Sequence, residues 1–359
     1  MVRRDRDMSR RILILPEYGH DGVWHGSGFI RLICPFTHPA ILKNDIDVLG
    51  FSHEFSGNEG ADLVLVERSW RPDINSQLME DLINKVRQSG AQLLWIVDDN
   101  LLDRHPQWDI ENYLASKRLP IRILAREADR IVVTTQNLAH RLKHLNPNIL
   151  VLQNLLDERL LRESPKSVDS NSLTVGYMGT FSHLPDLQGI LPALRRVMHR
   201  HNGKLHLSVL GVTNHPVLTS LFPKDTLHIL RPPSYTYPDF LSWMTSSLRW
   251  DISIAPLMSG RFNDCKSDIK LLDYGAASIA GVYSHVPSYA NSVQHGVTGL
   301  LVDNTSEAWE DALEQQIADP DLRHSLGSGA HNYLISERTL ATAGFKWCQT
   351  LLEFVDRKC

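Results

Sequence analysis

The sequence predicts an α/β protein of two doubly wound parallel-sheet domains, and three observations carry that prediction. The chain is 359 residues long, more than one hydrophobic core usually serves and over twice a typical domain of ~150 residues. Short apolar runs of strand length alternate with segments of helical period, the pattern of parallel strands joined by crossover helices. The alternation stops once, at a polar stretch without period near the middle, and then restarts.

The first run, 11–15 (RILIL), ends at Pro16 and a glycine-rich stretch, EYGHDGVWHGSG, and reads as a buried strand followed by a loop. Similar runs recur at 61–66 (ADLVLV), 93–97 (LLWIV), 130–134 (RIVVT) and 149–152 (ILVL). Between them, 74–89 places Leu78, Leu82, Ile83 and Val86 at spacings of three and four, and it and 136–144 are expected as helices. The stretch 162–172 (RESPKSVDSNS) is the expected linker, separating an N-terminal domain, 1–161, from a C-terminal one, 173–340. Strands are then expected at 173–178, 205–210, 227–230, 251–255 and 300–302, with helices at 187–200, around 240–247 and near 270–276. In the last stretch, 341–359, Phe345, Trp347, Cys348, Leu351, Leu352 and Val355 mark an amphipathic helix suited to packing back on the N-terminal domain.

Apolar residues make up 42% and charged ones 22%, which suits a folded chain. A net charge of -4 with 17 His neutral leaves no global positive field for a nucleic-acid backbone, so nucleic acid is excluded as a partner. Residues 1–11 carry five Arg, but only 12–15 are apolar before Pro16, too few for a signal peptide or a membrane span. Peripheral contact with an anionic membrane surface stays open beside a solvated terminus. Cys34, Cys265, Cys348 and Cys359 show neither a CxxC pair nor metal-ligand spacing, which fits reduced thiols in the cytoplasm.

Ligands of doubly wound sheets sit at the carboxyl ends of the strands. After the strand at 251–255, Lys266 and Ser267 fall at a helix start, where free N–H groups and the dipole favour an anion such as a diphosphate, and Ser267 or Asp268 is placed to cap. Lys270 and Asp273 share a helix face. They could hold a phosphate and a ribose diol together, or form an exposed ion pair worth only ~0.2–0.5 kcal/mol. Asp98 and Asp99 end another strand, as a metal site or base on one reading and as cap and loop acceptors on the other. Gly179-Thr180 is a turn that lets backbone approach a phosphate. Gly22, Gly26 and Gly28 surround Trp24 and His25 without G-x-G-x-x-G spacing.

The window 250–284 resembles the C-terminal signature of GT-B glycosyltransferases of family GT4, in a bacterial polysaccharide-type subgroup. Pro256-Leu257, Phe262-Asn263, Lys266-Ser267, Ile269-Lys270 and Leu272-Asp273-Tyr274 carry the match, with Asp273 in place of the usual Glu. A second match, 175–187 (VGYMGTFSHLPDL), resembles the opening of the family's donor domain, and 95–103 (WIVDDNLLD) resembles the DD-containing loop of the subgroup. The loop 20–31 resembles the family's first loop, and Arg31 with Pro35 fits its R…P pattern, facing the acceptor or serving structure.

The resemblance implies two Rossmann-like domains facing a cleft and a retaining, metal-independent sugar transfer from a nucleoside diphosphate sugar to an acceptor hydroxyl, saccharide or lipid-linked. It places this in cell-surface polysaccharide synthesis, in the cytoplasm or peripherally at the inner membrane face, with no cofactor. Asp273 would accept from the ribose hydroxyls, and Asp98, with Asp99, would stand at the reacting centre. Gly26, Gly28, Gly179, Thr180, His183, Arg261, Lys266, Ser267 and Lys270 would complete donor binding, with His183 equally suited to helix capping. Two departures stand out: Cys265 occupies the position of an acid eight residues before Asp273, and no Arg or Lys lies between Thr180 and Leu187. Asp264 or backbone groups would replace that acid. A nucleotide-sugar epimerase and a non-catalytic binding partner of an active transferase are the competing functions.

Overall fold

The computed structural model describes residues 9–103, 113–162, 172–180, 183–211, 220–223 and 225–357. Residues 1–8 of the basic start, most of the expected linker and Cys359 lie outside the described residues. Contacts divide the chain into two compact units, Met1–Glu158 with Cys265–Ser267 and Thr339–Cys359, and Arg159–Asp264 with Asp268–Arg338.

In the first unit, β1 (Arg10–Leu15), β2 (Ile46–Phe51), β3 (Leu63–Glu67), β4 (Gln92–Val97), β5 (Arg130–Val133) and β6 (Ile149–Val151) form one sheet in the order β2-β1-β3-β4-β5-β6. Every pairing is parallel. Helices cover the faces, so β3, β4 and β5 are almost wholly buried and read as continuous apolar runs rather than alternating ones. The helices Ser76–Ser89 and Gln136–Leu142 are started by Asn75 and Thr135, whose side chains accept from the N–H groups of Leu78 and Leu138. The terminal helix Leu340–Asp356 buries Cys348, Leu351 and Val355 in the core formed by Ile12, Ile14, Leu63 and Leu94. The apolar stripe read from its sequence therefore packs on the first unit, as expected, except Phe345, which is exposed.

In the second unit, β7 (Leu173–Met178), β8 (Leu205–Leu210), β9 (Leu227–Leu230), β10 (Ile252–Ala255), β11 (Ala280–Ser284) and β12 (Leu300–Val302) run in the order β12-β11-β10-β7-β8-β9, again all parallel. Gly176 in β7 is there for space: a Cβ would fall 1.8 Å from the Trp250 indole. Gly211, at φ +86, closes the turn after β8 so tightly that a Cβ would meet the Gly179 carbonyl at 2.4 Å. Two Rossmann-like, doubly wound parallel sheets are the expected fold class.

Strand order locates the ligand-binding ends. The first sheet reverses direction between β1 and β3, and the second between β7 and β10. At such switch points the loops leaving neighbouring strands part and open a crevice at the carboxyl ends.

Candidate functional site

At the first switch point, β1 leads into Glu17 and β3 into Arg68. The Arg68 guanidinium donates to Glu17 Oε2 (2.8 Å) through Nε, and to Asp98 Oδ1 (2.5 Å) and Asp99 Oδ2 (3.3 Å) through Nη1. Asp99 also faces Lys266 Nζ at 3.4 Å. Burial works against the Asp99 charge, but Lys266 and Arg68 outweigh it and hold the carboxyl below its ordinary range. Burial likewise opposes the Glu17 charge, and Arg68, His25 and Ser69 overcome it. Asp98 and Asp99 thus face guanidinium and ammonium groups, and among the described residues neither belongs to a group with metal-ligand proximity.

Glu67 behaves differently. It is 1% exposed, accepts from the Glu17 N–H at 2.8 Å, and has an Oε1 without a partner among the described residues. Burial first, then the charges of Glu17 and Asp98, push its carboxyl up to about 8. Gly28 is packed against it, since a Cβ there would lie 2.8 Å from Glu67 Oε2, while Gly26 is exposed. Arg31 lies in a π-turn, Phe29–Ile33, and is 2% exposed, with Nη1 donating to Leu152 O (2.7 Å) and Asn154 Oδ1 (3.1 Å). Burial lowers its pKa to about 10. Of the two roles open to Arg31, these contacts describe the structural one.

Cys265–Ser267 belongs to the first unit. Cys265 is fully buried in that unit's core, and its carbonyl accepts from Thr135 Oγ1 at 2.9 Å. An ionised carboxylate at this depth would lose its hydration, a cost of several kcal/mol unless it were paired. The Asp264 carboxylate accepts from the Gly260 N–H at 3.2 Å. Ser267 Oγ accepts from Asn154 at 3.1 Å. Asp268 occupies the N-cap position of Ile269–Ala276 but does not cap it with its side chain. The carboxylate is taken by Arg338 at 2.7 and 3.1 Å, in a pair buried on both sides.

At the second switch point, Gly179 follows β7, and a Cβ there would crowd the Tyr177 hydroxyl at 2.8 Å. Thr180 is exposed, and its carbonyl accepts from the His183 N–H at 2.9 Å. The His183 side chain does not cap the helix Leu184–Arg200 but lies 2.9 Å from Asp186 Oδ2. Asp186, 3% exposed, ties the two switch-point loops together by accepting from the Met258 N–H (2.9 Å) and Asn263 Nδ2 (3.1 Å). Arg261, on the same loop after β10, is exposed.

Lys270 and Asp273 are 7% and 5% exposed, so the exposed ion pair that spacing alone allowed is not what forms. The Lys270 ammonium sits 5.3 Å from the centre of the Tyr177 ring. Asp273 accepts from the Tyr237 hydroxyl at 3.0 Å. Burial pushes its carboxyl up to about 7 although Tyr237 and Lys270 pull it down. A carboxyl so balanced gains from further hydrogen-bond donors.

The structure therefore gathers Asp98, Asp99 and Lys266 in the first unit, and Gly179, His183, Lys270 and Asp273 around β7 and Ile269–Ala276 in the second. Sequence reasoning passed over Glu17, Glu67, Arg68, Asp186 and Tyr237. Asp186 stood within the SHLPDL match, and Glu67-Arg68 is a charged pair closing an apolar strand, a signal that was available. Among the described residues one further group, His38, Asp157 and Glu158, has metal-ligand proximity. His38 and Glu158 are engaged with each other at 2.8 Å and with the N–H groups of Ala40 and Ala341.

Two Rossmann-like sheets match the two-domain GT-B fold, and the solved structures similar to this chain include a glycosyltransferase. HepE from Anabaena, solved in complex with UDP-glucose, is 14% identical, covers 96% of this chain and 99% of its own, and gives a TM-score of 0.66. A glycosyltransferase from Rickettsia africae is 13% identical over 98% of this chain and 100% of its own, with a TM-score of 0.63. TarM is 12% identical with a TM-score of 0.58, but the 82% of this chain that aligns spans only 55% of TarM. No protein-family model and no curated protein matches the sequence. At these identities the likeness establishes the GT-B fold.

Proposed function

We propose that the protein is a glycosyltransferase that moves a sugar from a nucleoside diphosphate sugar to an acceptor hydroxyl, with retention at the anomeric carbon and without a divalent ion. The observation that carries this reading is the buried trio Lys270, Asp273 and Tyr237 in the unit whose switch point lies between β7 and β10. The solved complexes of HepE with UDP-glucose and with UDP, on the same fold, support it. The bond from the anomeric carbon to the diphosphate breaks with its electron pair leaving on the phosphate, and the acceptor oxygen bonds to that carbon as its proton passes to the departing phosphate oxygen. Arg261 and Lys270, both of the second unit, are the cations assigned to the departing diphosphate, each charge-assisted hydrogen bond worth ~1.5–3 kcal/mol. The acceptor, a saccharide or lipid-linked hydroxyl in surface-polysaccharide assembly, is assigned to the first unit, with Asp98 as its candidate reacting-centre residue.

The pairing of Asp98 with Arg68 and the absence of an acid at 265 favour one competitor, a non-catalytic nucleotide-sugar binder. A thermal-shift screen against UDP, GDP, ADP, CMP and dTDP and their sugars, followed by product analysis, decides between them. Binding with turnover supports transfer, binding without any turnover supports the competitor, and absence of binding overturns both. Lys270→Ala is expected to weaken the selected nucleotide by ~1.5–3 kcal/mol in calorimetry at an unchanged melting temperature. Unaltered affinity would remove Lys270 from the donor site.

A further inference from the structure

The residues leaving β3 adopt a costly backbone. Arg68 and Trp70 have φ of 48° and 64°, and the only other non-glycine residue with positive φ among the described residues is Ser278. Such conformations persist where the surroundings over-determine them. Here the Arg68 N–H donates to Ile96 O (2.9 Å), the Arg68 carbonyl accepts from Trp95 Nε1 (2.9 Å), and the Trp70 N–H returns to Glu67 O (2.7 Å). Ser69, between them, donates its N–H to Glu17 Oε1 at 3.1 Å and also bonds that oxygen through Oγ.

This bend aims one side chain. The buried end of the Arg68 guanidinium is anchored on Glu17, whose side chain is 5% exposed and itself locked by Ser69 and His25. The opposite edge reaches Asp98 and Asp99, whose side chains are 21% and 22% exposed and so are open on one side. A planar fork with several donors spans an anchor and two carboxylates, where an ammonium supplies one point charge. The charged groups facing it are Glu17, Glu67, Asp98 and Asp99, with Lys266 beyond Asp99 and Arg31 and Lys117 sharing the carboxylates' field.

We propose that Arg68 is the positioning residue of this site, holding the Asp98 and Asp99 carboxylates in a fixed orientation toward the sugar acceptor. The role rests on the transfer reading above. It assigns Arg68 no contact with substrate: the guanidinium orients the carboxylates, and the left-handed backbone at 68 sets where the guanidinium points.

The test compares the parent with Arg68→Lys and Arg68→Ala, using the nucleotide sugar that the screen selects and thermal melts to confirm folding. Turnover is expected to fall on the order of 100-fold in Arg68→Ala, the scale of a misplaced reacting group, while calorimetric affinity for the nucleotide stays within about twofold. Added guanidinium is expected to restore part of the Arg68→Ala turnover, and the Asp99 carboxyl, followed by carbon-13 NMR, to titrate at higher pH in both variants. Undiminished turnover, an equal loss in nucleotide affinity, or an Asp99 titration that does not move would overturn the proposal. If the parent itself transfers no sugar, the transfer reading falls, and the proposal falls with it only if Asp99 titrates alike in parent and variants.

Discussion

At the scale of single residues, the first switch point contains two carboxyl groups of opposite character one strand apart. Glu17 is held ionised by Arg68, whereas Glu67, beside it, is pushed from an ordinary 4.5 up to about 8 chiefly by burial. A folded-state pKa above the unfolded value means that between about pH 4.5 and 8 the folded chain keeps a proton the unfolded chain has released. Stability must then fall as pH rises through that window. Glu67→Gln keeps the shape and cannot ionise, so its stability should decline less, by an amount on the order of a few kcal/mol between pH 5 and pH 8. Asp273, also raised, to about 7, is present in both proteins and cancels in the difference. Urea unfolding of parent and variant across this range is the measurement, and parallel pH profiles would show that Glu67 is ionised in the folded state.

At the scale of elements, the helix Ile269–Ala276 begins without a side-chain cap because its N-cap residue, Asp268, is committed to Arg338. A charge pair this deeply buried gains little over an apolar pair, but losing one partner strands the other. Arg338→Ala should therefore cost ~3–5 kcal/mol in urea unfolding, and adding Asp268→Asn should recover much of it. Equal losses in the single and double variants would show that Asp268 is not what Arg338 neutralises. Most elements were legible in the sequence because a strand covered on both faces is a continuous apolar run. Some of those passed over have physical reasons. β2 is an edge strand, half-buried and interrupted by Gly50, and β11, AGVYS, opens on Ala and Gly, which are depleted in strands. The helix Pro320–Glu337 contains Gly327 and Gly329, which read as breakers but are required by close packing. A Cβ on either would lie 2.2 Å from Ser278 O or 2.0 Å from Val297 O. The cluster around Arg68 was harder to see, since β1, β3 and β4 bring together residues 17, 68 and 98 that no linear motif spans.

At the scale of the whole molecule, a chain of net charge -4 has no overall attraction for a nucleoside diphosphate, so local cations must supply it. No helix among the described residues is long and apolar enough to cross a membrane. Each unit has its own core: Val175, Leu187, Ile254 and Val282 in the second, and Leu15, Val66, Trp95 and Val133 in the first. Separate cores open separately, so a ligand that binds one unit raises that unit's opening free energy directly. At a concentration 100 times Kd the gain is ~2.7 kcal/mol, about a hundredfold in exchange protection. If the second unit holds the donor, the selected nucleotide should slow amide exchange most in Leu173–Met178, Tyr237–Ser247 and Ile269–Ala276. The first unit's Leu63–Glu67 and Gln92–Val97 should change far less. Hydrogen exchange read by mass spectrometry separates the outcomes, because protection concentrated in the first unit would move the nucleotide there. Lys266 and Ser267, which already belong to that unit, would then be its anchors in place of Lys270 and Asp273.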